Sequence, residues 1–238
     1  MSVLKPKPNA KGYRHELKYV ITDADAELLA IRLNAMLRPD PYAAKTGGGY
    51  AIRSLYFDDA LDSAVEEKVA GVQYRDKWRI RIYNFSDRVI KLERKHKNGQ
   101  FIKKDSLSLN RNQANALIAG EYTFLLYLQD SFAKEAYAAL RTEGLKPKVL
   151  VDYYRQPFVF PLEDVRITID REIRTGYFST DLFNPKAITY PATELMGQCV
   201  LEVKFNNYLD PHIASLVQLP ASLKTAASKY LFCRQYDC

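Results

Sequence analysis

The chain has 238 residues, a formal net charge of +7 and a hydrophobic fraction of 47%. These values fit an ordinary globular protein of one large domain or two small ones. No apolar run approaches the length needed to span a bilayer, which excludes an integral membrane protein built from helices. The basic balance favours an anionic partner, such as nucleic acid, a phosphorylated molecule or an acidic membrane surface.

The cysteines, the histidines and the N-terminus indicate the cellular setting. The three cysteines and three histidines lack the spacing of metal ligands. We therefore expect reduced thiols in the cytosol and no zinc site built from histidines. Residues 1–11 are basic but contain no apolar segment, which argues against a secretory signal. The sequence predicts a soluble, cytoplasmic protein.

Hydrophobic patterning and turn residues predict strands and helices from residue 13 onward. Thr22 or Asp23 caps the first helix, and Asn98-Gly99 is a tight hairpin signal. The predicted strands cover residues 13–21, 50–57, 72–83, 88–97, 101–109, 148–160, 165–174 and 199–205. The predicted helices cover residues 23–37 and 58–69, two segments within 112–141, and a last region from 211 to about 235. This order predicts a basic tail over residues 1–12 and a single α+β domain over residues 13–238.

Five strand-like segments carry their charged residues on one face only. Side chains alternate between the faces of a strand, so each segment places Lys and Arg, with at most one carboxylate, opposite a mostly apolar face. The segments are residues 14–19, 77–83, 91–95, 166–170 and 201–205. Trp78 falls on the apolar face and is expected in the core. A sheet with such a charged face indicates binding of a polyanion.

Two arrangements of these strands produce the same alternation. One is an open sheet with a solvated face. However, like charges at i, i+2 positions repel each other unless an anion lies between them, and such strands are numerous for one open sheet. We therefore expect a closed antiparallel β-barrel of about eight strands, with helices packed outside and the charged face lining a basic tunnel.

Eight segments of the chain, in order, resemble the strand motifs of the VTC (vacuolar transporter chaperone) domain. They are residues 16–18, 53–58, 77–83, 92–95, 152–155, 166–170, 201–205 and 228–230. That domain is a polyphosphate polymerase of the triphosphate tunnel metalloenzymes (the CYTH superfamily), and the resemblance implies a stand-alone bacterial member. The wider superfamily opens with Glu-x-Glu-x-Lys, whereas this chain has Arg14-x-Glu16-x-Lys18, which resembles the polymerase branch.

The resemblance also implies roles for individual residues. The catalytic residues would be Lys18, Arg79, Arg81, Glu202 and Lys229. The substrate-binding residues would be Arg53, Lys77, Lys91, Lys95, Arg155, Arg166 and Lys204. Glu202, supported by Glu16 and Glu93, would hold Mn²⁺ or Mg²⁺ together with substrate phosphates. Glu93 and Asp170 could equally balance neighbouring cations as structural ion pairs.

The activity implied by the resemblance is transfer of the γ-phosphate of ATP to a growing polyphosphate chain. Two alternatives stay open: an inorganic triphosphatase or polyphosphatase, and a non-catalytic polyphosphate-binding sensor. The expected partners are ATP, phosphate, pyrophosphate and polyphosphate. A separate membrane protein could receive the product at the inner face of the membrane. Nucleic acid is not an expected partner, because a tunnel too narrow for a duplex excludes it.

Overall fold

The computed structural model describes residues 15–99, 101–160, 165–177, 179–206, 208–218, 223–224 and 227–235. The strands are β1 (His15–Thr22), β2 (Arg38–Pro39), β3 (Tyr50–Asp58), β4 (Tyr74–Tyr83), β5 (Ser86–Asn98), β6 (Phe101–Leu109), β7 (Lys146–Phe160), β8 (Val165–Gly176), β9 (Tyr190–Pro191), β10 (Gln198–Phe205) and β11 (Leu223–Lys224). The α-helices are α1 (Asp23–Met36), α2 (Pro41–Ala44), α3 (Ser63–Val69), α4 (Arg111–Ala119), α5 (Ser131–Thr142), α6 (Pro211–Leu216) and α7 (Lys229–Arg234). The predicted basic tail and Arg14 lie outside the described residues.

The eleven strands of the described residues form one antiparallel sheet. Its order is β11-β1-β10-β8-β7-β3-β4-β5-β6, with β2 paired to β7 and β9 paired to β8. Within the part of the chain that the structure describes, no backbone ladder joins β6 to β1 or β11. The expectation of a closed barrel of about eight strands is therefore wrong, whereas the α+β class fits the structure.

The two edges of the sheet nevertheless approach each other. The short strand β11 pairs with Tyr19 and Val20 and so occupies the edge of β1 that a closing strand would need. His15 of β1 and Phe101 of β6 meet through their rings, whose centroids are 5.5 Å apart. The sheet therefore curves around a concave face, and side chains rather than a closing ladder bring its edges together.

Helices cover the apolar convex face in two places. Leu33 of α1 and Leu201 of β10 belong to a buried cluster under α1 and α6. A second cluster, which includes Ile80 of β4, lies under α4 and α5. Trp78 stacks on Phe132 of α5 with ring centroids 5.6 Å apart, so its predicted place in the core is confirmed. None of the helices in the described ranges is long and apolar enough to cross a membrane.

One part of the concave face is apolar and holds the last helix. Val151 of β7 and Val200 of β10 share a buried cluster with Tyr230 and Cys233 of α7. Helix α7 therefore packs inside the curve of the sheet. The predicted helical region over 211–235 consists instead of α6, the short β11 and α7. The rest of the concave face carries the charged side chains.

Local sequence signals set several element boundaries as predicted. Thr22 caps α1, because its hydroxyl accepts a hydrogen bond from the Asp25 backbone at 3.1 Å. The hairpin between β5 and β6 pairs Asn98 with Phe101, and Gly99 has a φ of +59°. A glycine adopts this left-handed conformation without steric cost, which explains the tight turn.

Candidate functional site

Strand alternation brings most of the predicted cations to one cavity in the concave face. On β4, Lys77, Arg79 and Arg81 line this cavity, whereas Trp78 and Ile80 between them are buried in the convex core. Among the described residues, eight Lys or Arg side chains and two Glu side chains line the wall, so positive charge prevails. The lining residues are Lys18, Lys77, Arg79, Arg81, Lys95, Arg155, Lys204, Lys229, Glu16 and Glu202, with Tyr56, Tyr153, Ser228 and Tyr230.

Glu202 of β10 is the shared partner of cations from four elements. Its Oε1 lies 2.9 Å from Lys229 Nζ and 3.4 Å from Lys18 Nζ. Its Oε2 lies 2.8 Å from Lys204 Nζ and 3.5 Å from Arg155 Nη2. Burial alone would raise the pKa of Glu202, but Lys204 and Lys229 hold that pKa well below its usual range. Glu202 is therefore ionised at neutral pH.

Asp170 of β8 holds two of the same cations from behind the cavity wall. Its two carboxylate oxygens accept hydrogen bonds from Arg155 Nε and Nη2, both at 2.7 Å. Lys229 Nζ lies 2.6 Å from Asp170 Oδ2. Burial opposes the charge on Lys229, but Asp170 and Glu202 outweigh it and raise the Lys229 pKa above its usual range. The geometry favours a structural role for Asp170, which fixes the positions of Arg155 and Lys229.

Glu16 of β1 reaches across the gap between the two edges of the sheet. Its Oε2 lies 2.7 Å from Lys95 Nζ on β5, while Lys204 and Lys18 lie at 3.5 and 3.7 Å from the carboxylate. Burial alone would raise the pKa of Glu16, but Lys18 and Lys95 hold it far below its usual range. Burial lowers the pKa of Lys95 to about 7 against the attraction of Glu16. Lys95 therefore titrates near neutral pH.

Glu93 of β5 is bound to a different set of cations. It accepts hydrogen bonds from Arg79 Nε at 2.8 Å and Lys104 Nζ at 2.9 Å, and Arg81 lies 3.7 Å away. Among the described residues, none of these cations forms an ion pair with Glu16 or Glu202. The carboxylate of Glu93 therefore fixes the arginines of β4 rather than joining the other two glutamates.

Two tyrosine hydroxyls orient the same arginines without neutralising them. Arg79 Nη1 donates to Tyr56 Oη at 2.8 Å. Arg81 Nη2 donates to Tyr153 Oη at 3.0 Å, and its Nε donates to Ser54 Oγ at 3.2 Å. Arg79 also pairs with Glu93 through Nη2 at 2.7 Å, whereas the Glu93 carboxylate lies 3.7 Å from Arg81. Arg81 therefore keeps more of its positive charge available to an anionic ligand, whose oxygens a planar guanidinium matches.

Lys77 differs from the other cations of the cavity. Among the described residues, no carboxylate oxygen lies within 4.0 Å of its ammonium group. Its Nζ donates to Ser228 Oγ at 3.1 Å and lies 5.0 Å from the ring centroid of Tyr230. Burial, reinforced by the charge of Lys18, lowers the pKa of Lys77 well below its usual range. An anion bound beside Lys77 would supply the countercharge that the described residues do not provide.

A second cavity continues the first along the concave face. The wall residues common to both cavities are Glu16, Arg79, Arg81, Lys95, Arg155 and Lys204. The second cavity is also lined by Tyr50, Tyr83, Ile102 and Arg166. Arg166 Nη2 donates there to Tyr50 Oη at 3.1 Å. A charged passage therefore follows β4 from Lys77 as far as Tyr83.

Two predicted substrate-binding residues lie away from this passage. Arg53 is on the opposite face of β3, where its Nε and Nη2 donate to Asp152 at 2.8 and 2.7 Å. Lys91 is on the concave face but lines neither cavity, and its Nζ donates to Ser108 Oγ at 2.6 Å. Arg166 lines only the second cavity. The structure brings the other predicted cations together.

Sequence reasoning missed most of the neutral side chains of the site. Tyr56, Ser228 and Tyr230 line the first cavity among the cations. Alternation along β3 could have identified Tyr56, because it lies on the face opposite to the apolar Leu55. No local signal could have placed Ser228 beside Lys77, since that contact depends on how α7 packs inside the sheet.

Glu16 and Glu202 are the carboxylates among the described residues of the first cavity that could hold a divalent cation. Lys18 and Lys204 each lie within 3.7 Å of both carboxylates, so the two glutamates are close neighbours. Mg²⁺ is commonly held by one or two carboxylates together with substrate phosphates. The described ranges contain no group of three or more His, Cys, Asp or Glu arranged as metal ligands. Phosphate oxygens would therefore have to complete such a site. Glu93, whose oxygens accept from Arg79 and Lys104, is not part of the lining of the first cavity.

The curved sheet and its cation-lined passage define a polyanion-binding protein with a tunnel-like fold. Residues 13–236 match the VTC domain family, and the chain belongs to this family. Comparison with curated proteins gave no match. Family membership, together with the cation-lined passage, indicates a function related to triphosphate or polyphosphate.

A solved structure supports the fold. A candidate adenylate cyclase from Bacillus halodurans superposes with a TM-score of 0.51 at 13% sequence identity, over 88% of this chain and 94% of that chain. A protein from Pyrococcus horikoshii (TM-score 0.37, 11% identity, 85% and 82% coverage) and a conserved hypothetical protein from Pyrococcus furiosus (TM-score 0.41, 11% identity, 85% coverage of each chain) are more distant. At 13% identity, the similarity to the Bacillus halodurans protein is evidence for the fold only. The similarities to the two Pyrococcus proteins are too weak to support a conclusion.

Proposed function

We propose that this chain is a polyphosphate polymerase, which transfers the γ-phosphate of ATP to the end of a growing polyphosphate chain. The length of the charged passage is the observation that carries this proposal. Six residue steps along β4 separate Lys77 from Tyr83, which is about 20 Å of extended strand. A passage of this length exceeds the three phosphates of one nucleotide, so both a nucleoside triphosphate and an acceptor chain could be held in line.

The protein side chains would contribute position and charge rather than covalent chemistry. A terminal oxygen of the acceptor chain forms a bond to the γ-phosphorus of ATP, the bond to the β-phosphate oxygen breaks, and ADP leaves. Arg79 and Arg81, oriented by tyrosine hydroxyls, would bind phosphate oxygens through their planar forks. Lys18 and Lys229 would neutralise the negative charge of the triphosphate. Because these groups are already held in place by ion pairs, little reorganisation is required when substrate binds.

Glu16 and Glu202 would hold Mn²⁺ or Mg²⁺ together with phosphate oxygens. When bound, such a cation supplies Lewis-acid polarisation of the transferred phosphate. The family resemblance also favours a cytoplasmic location and a separate membrane protein that receives the product.

One assay separates polymerisation from the alternatives. The purified protein is incubated with ATP and Mn²⁺ or Mg²⁺, and the products are examined by gel electrophoresis and nucleotide analysis. A ladder of long phosphate chains together with ADP supports the proposal. Release of free phosphate without chains identifies a triphosphatase or polyphosphatase, and tight binding without turnover identifies a sensor. An Arg111→Met variant, altered in an exposed ion pair with Asp87, is the matched control and should behave as the parent protein.

A further inference from the structure

Helix α7 places Lys229 in the cavity, but six residues are too few to form a stable helix alone. Its position must therefore come from contacts with the rest of the fold. Its first residue, Lys229, is held by Asp170 and Glu202 within the site itself. Its next residue, Tyr230, faces the end of β3 and contacts Asp58 there.

Asp58 is a buried carboxylate that joins α7 to the start of α3. Its Oδ2 accepts a hydrogen bond from the Tyr230 hydroxyl. Its Oδ1 accepts from the backbone N–H groups of Asp59 and Ala64 at 2.9 and 3.0 Å. The Asp58 side chain is 1% exposed and does not line the cavity. Asp58 therefore makes no direct contact with a ligand in the cavity, and its contacts lead to the cavity through Tyr230 and α7.

A second contact connects the same loop to the other end of α7. Arg234 Nη2 lies 2.6 Å from Asp62 Oδ2, and Lys148 Nζ on β7 lies 3.0 Å from Asp62 Oδ1. The segment between β3 and α3 thus holds both ends of α7 through two carboxylates. The contact of Asp62 is more exposed to solvent than that of Asp58, so we expect it to contribute less.

We propose that Asp58 is a positioning residue, which holds Tyr230 and thereby fixes the place of Lys229 in the cavity. The inference rests on the proposed function, because positioning matters only if Lys229 binds phosphate. Tyr230 also packs against Tyr56, with ring centroids 5.0 Å apart, and lies under the Lys77 ammonium group. Tyr230→Phe would keep these ring contacts, and with them the environment of Lys77, and would remove only the hydroxyl contact with Asp58.

The first test needs no substrate. The full chain is treated with a limiting amount of an acetylating reagent, and modification of Lys229 is measured by mass spectrometry relative to the exposed Lys134. Tyr230→Phe, which removes only the hydroxyl, should raise the relative rate at Lys229 by about tenfold. Tyr122→Phe is the matched control, because Tyr122 is also buried but donates to Leu145 O on the convex side. An unchanged rate in Tyr230→Phe, or an equal rise in both variants, would overturn the proposal.

The second test measures affinity for inorganic tripolyphosphate. Tyr230→Phe should weaken binding by about tenfold in the parent protein and cause no further loss in a Lys229→Met background. A loss that persists in the Lys229→Met background would show that Tyr230 does not act through Lys229. If the parent protein does not bind tripolyphosphate, the proposed function fails, whereas the acetylation result still decides the role of Asp58 and Tyr230.

Discussion

The Lys229 ammonium group and the Glu202 carboxylate lie 2.9 Å apart and join α7 to β10 inside the charged passage. Both side chains are almost completely buried, and Asp170 completes the pair at 2.6 Å from Lys229. Removal of Lys229 would take a buried cation from both carboxylates, which Arg155 and Lys204 would then compensate only in part. The same residues thus bind the proposed ligand and hold the fold together, whereas Lys77 has no comparable partner among the described residues.

Substitution of Lys229 should therefore lower the stability of the protein more than substitution of Lys77. Lys229→Met removes one cation from two buried carboxylates, which keep Arg155 and Lys204 as partners, and should lower the free energy of unfolding by about 1–3 kcal/mol. Lys77→Met removes a cation without a carboxylate partner and should change it by less than about 1 kcal/mol. Both variants should bind tripolyphosphate more weakly. Urea denaturation and titration calorimetry would measure the two quantities, and equal destabilisation by both variants would contradict the assignment of ion pairs.

Glu202→Gln should separate the binding of phosphate from its transfer. The substitution removes a negative charge from a cation-rich cavity, so affinity for tripolyphosphate without metal should rise by about tenfold. Metal-dependent turnover should fall at least about 100-fold, because the proposed site for the divalent cation loses a ligand. Binding is measured in the presence of a chelator and turnover with Mn²⁺. Glu121→Gln, at an exposed position, is the control. Unchanged turnover in Glu202→Gln would show that the metal assignment is wrong.

The charged face was predictable from sequence because strand alternation is a local property. The register of β4 with β5 pairs Lys77 with Lys95 and Arg79 with Glu93. Side chains of paired residues lie on the same face of a sheet, so the charged residues of both strands share one face. Closure of the sheet was not predictable, because it depends on which strand occupies the free edge of β1. That strand is the two-residue β11, which has no strand signal of its own in the sequence.

Strand alternation argues against one of the predicted substrate-binding residues. Arg53 was assigned to the substrate by family resemblance, yet it precedes Ser54 and follows Ile52, which both lie on the concave side of β3. Its own side chain must then point to the convex side. The contacts of Asp170 with Arg155 and Lys229 depend instead on the packing of three separate elements, so no sequence pattern could have revealed them.

Arg53→Met should destabilise the protein without affecting the binding of phosphate. The substitution breaks a buried bidentate ion pair and leaves Asp152 without its cation, at a cost of about 3–5 kcal/mol. Affinity for tripolyphosphate should stay within about twofold of the parent value when measured well below the unfolding temperature. Arg79→Met is the comparison, since it should lower that affinity by at least about tenfold. A comparable loss of affinity in Arg53→Met would show that Arg53 does take part in phosphate binding.

The affinity for polyphosphate should fall as the pH rises through neutrality. Burial lowers the pKa of Lys95 to about 7, so this residue loses its proton, and with it a positive charge of the cavity, between about pH 6 and 8. The same titration of Lys95 has the opposite effect on the free energy of unfolding. The unfolded chain keeps the Lys95 proton up to a pKa near 10.5, so the free energy of unfolding should rise with pH from about 7 towards 10.

Lys95→Arg provides the check on this pH dependence. A guanidinium keeps its charge throughout this range, so the variant should lose less affinity for tripolyphosphate than the parent from pH 6 to 8.5, because ionisation of the ligand and of Lys77 is common to both proteins. The parent protein should weaken over the same interval, with a midpoint near pH 7 in the free protein. Titration calorimetry in two buffers of different ionisation enthalpy would also detect uptake of a proton by the parent protein on binding at pH 8. A parent profile as flat as that of Lys95→Arg would show that another cation sets the charge of the passage.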